Sequence, residues 1–205
     1  TKVVGRGAAD KLFINTAGIG ATPHSIRWAA QSLPPGDVLL ASGTRGDHGA
    51  TILHLREGLG LDGELFSEWA VLTPLIATLR DLPGVKALRD ATRGGVNAVV
   101  HEFAAACGFG IELNEADLPV KPAVRGVCEL LGLEALNFAN EGKLVIAVQR
   151  EAAEQALARL RAHPLGADAA IIGEVVERQG VRLAGLYGVK RLLDLPHAEP
   201  LPRIC

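Results

Sequence analysis

The run Val38-Leu39-Leu40-Ala41-Ser42-Gly43-Thr44-Arg45-Gly46-Asp47-His48-Gly49 indicates the class of fold. Its four leading apolar residues are typical of a buried strand, and a helical pattern over 52–59 follows the glycine-rich segment. The same order of strand, glycine loop and helix recurs at 85–103. Alternating strands and helices predict an α/β layered domain with a mixed sheet and packed helices.

Outward from this run, apolar spacing predicts further elements. They are helices over 72–82, 123–131 and 151–161, and strands over 110–113, 143–148, 171–176 and 181–183. The last two strands flank the turn Arg178-Gln179-Gly180, so we expect them to form a hairpin. Pro34-Pro35-Gly36 marks a domain junction, and the proline-containing stretch from residue 195 predicts an extended tail.

Composition excludes several classes of function. The chain has 21 Lys and Arg against 23 Asp and Glu, so it offers no basic field for a nucleic acid. No apolar run approaches the roughly 20 residues that cross a bilayer, and the first residues lack a signal-peptide core. We therefore expect a cytoplasmic protein with no nucleic acid or membrane partner.

Cysteine and methionine usage adds two expectations. Cys107, Cys128 and Cys205 are widely spaced and odd in number, which favours reduced thiols over a disulfide framework or a metal knuckle. Cys107 and Cys128 lie in helical patterns and are expected to be small core residues. Because Met is absent throughout, we expect position 1 to lie inside a longer protein.

Asp90-Ala91-Thr92-Arg93-Gly94-Gly95 is the first candidate for chemistry, at a predicted strand-to-helix junction. A helix N-terminus presents N–H groups and partial positive charge, glycines let a phosphate approach, and Arg93 adds a charged fork. Asp90 would hold a divalent ion or orient the loop. The alternative is an ordinary turn in which Thr92 caps the helix and the glycines are needed only for the backbone conformation of the turn.

Two shorter motifs are further candidates. In Gly46-Asp47-His48-Gly49, Asp47 would cap the helix, bind metal or hold His48, and His48 would serve as a base or ligand; a plain cap with a solvent-facing His is the alternative. In Asn140-Glu141-Gly142-Lys143, Glu141 precedes an apolar strand, where a carboxylate in partly dry surroundings can act as a general base. A solvated turn glutamate is the alternative there.

The chain ends in a thiol on a proline-containing segment. About ten extended residues at roughly 3.1 Å each would carry the Cys205 sulfur some 30 Å, like a swinging arm. The alternative is a tail that merely happens to end in cysteine.

Six motifs together carry a family resemblance. They are Thr1-Lys2-Val3-Val4, Phe13-Ile14-Asn15-Thr16-Ala17-Gly18-Ile19-Gly20, Gly46-Asp47-His48-Gly49, Asp90-Ala91-Thr92-Arg93-Gly94-Gly95, Asn137-Phe138-Ala139-Asn140-Glu141-Gly142-Lys143 and Pro202-Arg203-Ile204-Cys205. Over the whole chain they resemble the HypE family of hydrogenase expression and formation proteins. The Asp-x-Thr-Arg-Gly-Gly motif alone would also fit aminoimidazole ribonucleotide (AIR) synthetase, selenophosphate synthetase and thiamine monophosphate kinase. The terminal motif separates HypE from those relatives.

The resemblance implies an organisation for the chain. Residues 1–35 would be the last strands of a mostly missing ATP-binding N-terminal domain, 36–194 a PurM-like (AIR-synthetase-like) C-terminal domain, and 195–205 a flexible tail ending in the carrier cysteine. The family is usually homodimeric. Its magnesium ligands are expected in the missing part, so no metal ligand is assigned here. Arg45 stands where an aliphatic residue is more usual.

The resemblance also implies a reaction, in which ATP-driven dehydration converts a carbamoyl group on Cys205 to a thiocyanate. Cys205, Glu141 and Lys2 would be the catalytic residues. The cofactors would be ATP and Mg²⁺, and the cofactor-binding residues Asp90, Thr92, Arg93, Gly94, Gly95 and Asn140. A HypF-like carbamoyltransferase would supply the carbamoyl group, and the thiocyanate would pass as cyanide to iron held by a HypC-HypD complex, for a [NiFe]-hydrogenase.

Two other functions remain open on the sequence. The chain would be an ATP-dependent enzyme of the same superfamily acting on a free small molecule, or a catalytically silent binding or dimerisation module lacking its nucleotide domain.

Overall fold

The buried run at 38–41 forms an inner strand, β1 (Val38–Ala41), of a seven-stranded sheet. The computed structural model of the protein describes residues 17–23, 25–59 and 65–196. The strand pieces expected at residues 2–4 and 11–15 lie outside these ranges, as do Lys2 and Cys205. All four residues of β1 are buried, because β1 has a neighbouring strand on each side and packed side chains on both faces.

The other strands assemble around β1 in a mixed sheet. They are β2 (Val85–Asp90), β3 (Gly110–Asn114), β4 (Leu144–Val148), β5 (Ala170–Val176), β6 (Val181–Ala184) and β7 (Lys190–Leu192), in the order β2-β4-β1-β5-β3-β6-β7. β3 and β6 are parallel, and the other neighbouring pairs are antiparallel. The predicted mixed sheet is therefore confirmed.

The helices follow the predicted pattern with shifted ends. They are α1 (Asp47–Glu57), α2 (Thr73–Ala77), α3 (Gly95–Cys107), α4 (Pro122–Leu131) and α5 (Ala153–Arg161). Short 3-10 turns occur at Ala30–Ser32, Glu115–Asp117, Ala135–Asn137, Arg150–Ala152 and Pro164–Gly166. The helix predicted over 72–82 is shorter, because residues 78–81 continue it as turns, with the Thr78 amide donating to the Leu75 carbonyl.

The hairpin predicted between the strands at 171–176 and 181–183 is wrong. β5 and β6 do not pair, because β3 lies between them, antiparallel to β5 and parallel to β6. The turn that joins them crosses the start of β3 at Gly110, where an added Cβ would meet the Arg178 carbonyl oxygen at 1.9 Å. The hairpin lies instead between β6 and β7.

Two apolar clusters cover the two faces of the sheet. Helix α3 packs Val96, Val99, Val100 and Phe103 against one face. Helices α2 and α5 cover the other face, where Leu75, Leu157 and Leu160 meet residues of β1 and β4. The alternating directions of strand side chains explain why each inner strand contributes to both clusters.

Helices α1 and α4 pack together in a third cluster. It comprises Ala50, Leu53, Val124, Val127 and Phe138. Cys107 and Cys128 are both free and partly buried, at the edges of the first and third clusters, as expected for small core residues. Within the ranges described, the helices are too short or too polar to cross a membrane.

Candidate functional site

Three loops meet at one end of the sheet. β1 and β2 each run antiparallel to β4, so the segments after Ala41 and Asp90 adjoin the segment before Leu144. The Ser42 amide donates to the Leu144 carbonyl over 3.0 Å, and the Ala91 amide donates to the Lys143 carbonyl over 3.0 Å. The predicted motifs around Asp47, Asp90 and Glu141 are therefore neighbours, although about 40 to 50 residues separate each from the next.

Asn140 ties these loops together. Its side-chain oxygen accepts from the Gly46 amide over 2.8 Å, and its side-chain nitrogen donates to the carbonyls of Ala91 and Phe138, each over 3.0 Å. The residue is only 3% exposed. An amide is suited to this position because it both donates and accepts. Asn140 holds the loops in register, and its expected role in cofactor binding stays a prediction.

The loop between β2 and α3 is the exposed part of the site. The Thr92 hydroxyl donates to the Asp90 carboxylate over 2.7 Å, so Asp90 orients its own loop. Arg93 is exposed beside them. Thr92 is not the helix cap that one alternative predicted; the N-cap is Gly94, which makes no side-chain capping bond.

Both glycines of this loop have positive φ angles, 70° at Gly94 and 61° at Gly95. At Gly95 an added Cβ would meet the carbonyl oxygens of Leu136 at 2.4 Å and Phe138 at 2.5 Å. Gly95 is therefore needed for close approach to the loop that leads to Glu141. Helix α3 begins here, and the first amides of a helix have no acceptor within the helix. The expected phosphate binding at this helix start stays a prediction.

Glu141 lies half-buried between Asn140 and Gly142. Its carbonyl accepts from the Ala70 amide over 2.9 Å, so the segment 65–70 lies against this loop. An added Cβ at Gly142 would meet the Glu68 carbonyl at 2.5 Å, which explains the glycine. Glu141 is therefore partly shielded from solvent, and its expected role as a general base stays a prediction.

His48 is buried beside this loop rather than facing solvent, as the alternative predicted. The ring is 8% exposed, and Nδ1 lies 2.6 Å from the Ser67 hydroxyl, while Nε2 is buried with no hydrogen-bond partner. Burial lowers the pKa of His48, and the nearby negative charge of Glu141 partly offsets that effect. The neutral imidazole is therefore favoured, and His48 is electrostatically coupled to Glu141.

A charge network that sequence reasoning missed supports the same loops. The Glu68 carboxylate binds Lys121, and it lies 2.6 Å from Nζ of Lys143. Nζ of Lys121 also lies 3.1 Å from Asp47, which accepts a hydrogen bond from Thr44 over 2.5 Å. Asp47 thus joins the network instead of capping α1, whose N-cap is Gly46. No sequence pattern marked Glu68, whose partners are distant in the chain.

Burial and pairing have opposite effects on the pKa of Glu68. Burial raises it, but the hydrogen bonds and charges of Lys121 and Lys143 together outweigh burial, so the pKa lies below its ordinary value. Burial also opposes the charged form of Lys121, yet Glu68 and Asp47 raise its pKa overall. The charged forms of Glu68 and Lys121 are therefore both favoured.

Arg45, two residues before Asp47, is completely buried. One Nη donates to the Leu144 carbonyl over 3.3 Å, while Nε and the other Nη have no partner. Burial lowers the pKa of Arg45 to about 9, against the raising effect of Asp47 and Glu68. The charge of Arg45 is thus poorly compensated.

The segment around Asp194 contacts the first turn of helix α3. Asn97, in that turn, donates from its side-chain nitrogen to the Asp194 carbonyl over 3.0 Å and to the Asn137 side-chain oxygen over 2.8 Å. Lys2 and Cys205 lie outside the residues that the structure describes.

Within the described ranges, no group of three or more His, Cys, Asp or Glu side chains could hold a metal ion.

Comparison with known proteins agrees with this geometry. Residues 34–185 match the family of AIR synthase related protein, C-terminal domain. The chain belongs to this family. The match ends at residue 185, so the AIR synthase related region includes all three loops of the site.

The whole chain is also similar to longer proteins. It is 83% identical over 205 residues to carbamoyl dehydratase HypE of Escherichia coli, and 47% identical over 209 residues to that of Bradyrhizobium diazoefficiens. All of the chain is covered in both comparisons, but only 61% and 60% of those relatives. The resemblance to HypE that the motifs indicated is thus confirmed, and the chain spans about three fifths of its relatives' length.

Solved structures agree. The crystal structure of E. coli HypE has a TM-score of 0.94 and 82% identity, covering 98% of this chain and 62% of that one. A HypE-HypF complex has a TM-score of 0.80 and 44% identity, covering 82% of this chain and 55% of that one. A HypE in complex with ATP has a TM-score of 0.79 and 37% identity, covering 84% of this chain and 54% of that one.

Proposed function

We propose that this chain is the C-terminal part of an ATP-dependent carbamoyl dehydratase of hydrogenase maturation. Its reaction converts an S-carbamoyl group on Cys205 to a thiocyanate, which supplies the cyanide ligand for iron in a [NiFe]-hydrogenase. The main supporting observation is that the segment leading to Cys205 contacts the place where the Asp90–Gly95 and Asn137–Lys143 loops meet. The contact is the hydrogen bond from Asn97 to the Asp194 carbonyl, and Asn97 also bonds Asn137. The 83% identity to a carbamoyl dehydratase supports the same reaction.

The division of labour along the chain follows from this proposal. Residues 1–35 are the end of an ATP-binding N-terminal domain, 36–194 the domain that carries the loops, and 195–205 the arm that carries the sulfur. The chain's 61% coverage of the E. coli relative supports a missing domain. We accordingly expect the chain alone to be inactive and the full-length protein to be active as a homodimer.

The exposed loop is the proposed phosphate site. The first amides of α3 have no acceptor within the helix, and Arg93 is exposed next to them. The ATP complex of a 37% identical HypE supports nucleotide binding by this fold. We propose that Asp90 and Thr92 hold the loop in shape for the phosphate. The described residues do not supply a complete Mg²⁺ site, so we place the magnesium ligands in the missing domain.

The reaction requires that the carbamoyl oxygen leaves as phosphate. Transfer of the γ-phosphoryl group of ATP to that oxygen, with loss of one amide proton, gives an S-bound imidate phosphate and ADP. Loss of the second proton lets phosphate depart and leaves S–C≡N on Cys205. Arg93 and the amides at the start of α3 stabilise the phosphate charge, which favours both steps.

Glu141 is the residue that we propose to accept a proton from the carbamoyl nitrogen. It is half-buried, and Gly142 lets the 65–70 segment approach and exclude water from one side. Lys2 would bind phosphate or orient the tail, as a compact charge on a flexible stem. The Cys205 sulfur carries the reacting group throughout, so it must be free to move between partners.

Two partners follow from the chemistry. A HypF-like carbamoyltransferase would load Cys205, which the HypE-HypF complex of a 44% identical relative supports. A HypC-HypD-like complex would accept the cyanide on its iron. A terminal sulfur suits both exchanges because it can reach surfaces that a buried thiol cannot.

Intact-mass spectrometry of the full-length protein with carbamoyl donor and ATP tests the proposal. We expect Cys205 to gain a carbamoyl group and then to lose one water, whereas Cys205→Ala stays unmodified and the matched control Cys128→Ala reacts normally. Carbamoylation without water loss in the presence of ATP would contradict the dehydratase reaction.

Two further measurements, of ATP hydrolysis and of ATP affinity, distinguish the two competing functions. An enzyme of this superfamily acting on a free small molecule would hydrolyse ATP equally well after Cys205→Ala. A binding or dimerisation module would show no measurable ATP affinity when the chain is titrated.

A further inference from the structure

His48 lies against the loop that carries Glu141. The amide that follows it in the chain, that of Gly49, donates to the Ala139 carbonyl over 3.1 Å. An added Cβ at Gly49 would meet the Phe138 side chain at 2.9 Å, so the first turn of α1 and this loop approach closely. The backbone at His48 is therefore bonded to the loop only two residues before Glu141.

The segment 65–70 holds the ring of His48. Nδ1 of the ring lies 2.6 Å from the Ser67 hydroxyl oxygen. Three residues later, the Ala70 amide donates to the Glu141 carbonyl over 2.9 Å. The same segment thus contacts both residues, and His48 and Glu141 are held as neighbours from two sides.

The other ring nitrogen of His48 has no hydrogen-bond partner among the residues that the structure describes. This atom, Nε2, is buried, and the whole residue is only 8% exposed. A neutral imidazole has one N–H group and one lone pair. When Nδ1 carries the hydrogen and donates it to Ser67, the lone pair is at Nε2 and can accept a proton.

The proposed reaction removes two protons from one nitrogen, but the Glu141 carboxylate can hold only one at a time. The first proton leaves when the γ-phosphoryl group is transferred, and the second leaves when phosphate departs. Glu141 must therefore lose the first proton before it takes the second. An imidazole ordinarily takes a proton from a carboxylic acid, because their ordinary pKa values are about 6.5 and about 4.3. Burial lowers the pKa of His48, and the negative charge of Glu141 opposes that effect.

We propose that His48 is the proton relay of Glu141, in which Nε2 takes the first proton from the Glu141 carboxyl group and so restores the carboxylate for the second. The relay rests on the proposed function, because it concerns the protons of the carbamoyl nitrogen. His48 acts only through Glu141, so it is a positioning residue and not a catalytic one.

The protons and electron pairs of the relay balance. The O–H bond of Glu141 breaks and an N–H bond forms at Nε2, which leaves a carboxylate beside an imidazolium. Glu141 then takes the second proton, the electron pair of that N–H bond completes the nitrile, and the pair of the C–O bond leaves with phosphate. Glu141 gives its proton to the phosphate, which departs as HPO₄²⁻, and His48 releases the first proton to water.

Single-turnover kinetics of carbamoylated full-length protein with ATP separate the two steps. Formation of ADP reports phosphoryl transfer, and loss of water from the intact protein reports departure of phosphate. The side chain in His48→Gln can form hydrogen bonds but cannot take a proton. We expect this variant to form ADP at a rate changed less than about threefold and to lose water about a hundredfold more slowly. His54→Gln, on the same helix, is the matched control and should change neither rate.

Ser67→Ala keeps the proposal testable if His48→Gln does not fold. It removes the hydrogen bond at Nδ1 and should slow water loss alone by about fivefold, which corresponds to one ordinary hydrogen bond. Equal slowing of ADP formation and water loss, or no slowing of either, would overturn the relay while leaving the proposed reaction intact. Absence of water loss in the unaltered protein would overturn the proposed function, and the relay with it.

Discussion

The two loops that meet at the candidate site are built in opposite ways. The loop before β4 is fixed by buried contacts, with Asn140 bonded to three backbone groups and Lys143 paired with Glu68. The loop after β2 carries exposed polar groups, and the bond between Thr92 and Asp90 lies at the surface. We propose that the difference reflects a division of roles, in which the first loop is a preformed support and the second is the surface that receives a ligand. Substitutions should therefore lower stability in the first loop and affinity in the second.

Gly95→Ala should have the largest effect, because Gly95 is where the two loops touch. A positive φ and an added Cβ close to two carbonyl oxygens should together lower the free energy of unfolding by roughly 3 to 5 kcal/mol. Gly108→Ala, at the other end of α3, has a positive φ but open space and should cost only about 1 kcal/mol. Urea denaturation of both variants checks the difference. Equal losses of unfolding free energy in the two variants would mean that the contact between Gly95 and the Leu136 and Phe138 carbonyls does not limit the space for a side chain.

Glu68→Gln should come next, since it removes the carboxylate that two lysines share. We expect a loss of about 2 kcal/mol at neutral pH, less than a fully buried pair because Lys121 is partly exposed. The pKa of Glu68 in the folded protein lies below its ordinary value of 4.5, so its stabilisation is present above about pH 4.5 and is lost as pH falls through the folded pKa.

The measurement for Glu68 is denaturant unfolding as a function of pH. The unaltered protein should lose more stability than Glu68→Gln between about pH 5 and pH 3, so that the two curves converge. Glu129→Gln, an exposed glutamate on α4, is the control and should follow the unaltered protein. Parallel curves for Glu68→Gln and the unaltered protein would argue against a charged network.

Arg93→Ala should act on affinity instead. If the exposed loop receives phosphate, the full-length variant should bind ATP about tenfold more weakly, with unfolding free energy changed by less than about 1 kcal/mol. Arg89→Ala, its exposed neighbour on β2, is the matched control and should bind ATP normally. Calorimetric titration separates the two, and unchanged ATP affinity in Arg93→Ala would remove this loop from the nucleotide site.

Arg45→Leu should have the smallest effect, and it should raise the free energy of unfolding instead of lowering it. The guanidinium is fully buried with two nitrogens unpartnered, so an apolar side chain of similar reach should raise the unfolding free energy by about 1 kcal/mol. Arg125→Leu, exposed on α4, should change stability by less than about 0.5 kcal/mol. Thermal unfolding compares them. A destabilised Arg45→Leu would show that Arg45 strengthens the network around Asp47 and Glu68.

Much of the fold could be predicted from apolar runs. β1 and β4 were predicted to within one residue because both are buried on both faces, which leaves a continuous apolar run. The false hairpin arose because pairing of β3 with β6 is non-local, and no local pattern reports it. β7 was missed because its three residues are exposed and lack a pattern.

The candidate site was predictable only where a motif marked it. Glycine motifs identified the loops at 46–49, 90–95 and 140–143, and antiparallel pairing with β4 brings them together. Glu68 and Lys121 had no such signal, because ion pairs between distant segments leave no periodicity.

We propose above that Glu141 acts on a carbamoyl group delivered by Cys205. The most direct test is a single-turnover mass measurement on full-length protein carbamoylated beforehand and then given ATP. The unaltered protein and Glu129→Gln should lose one water, while Glu141→Gln should bind ATP and keep its carbamoyl group. Water loss by Glu141→Gln at the unaltered rate would contradict the claim.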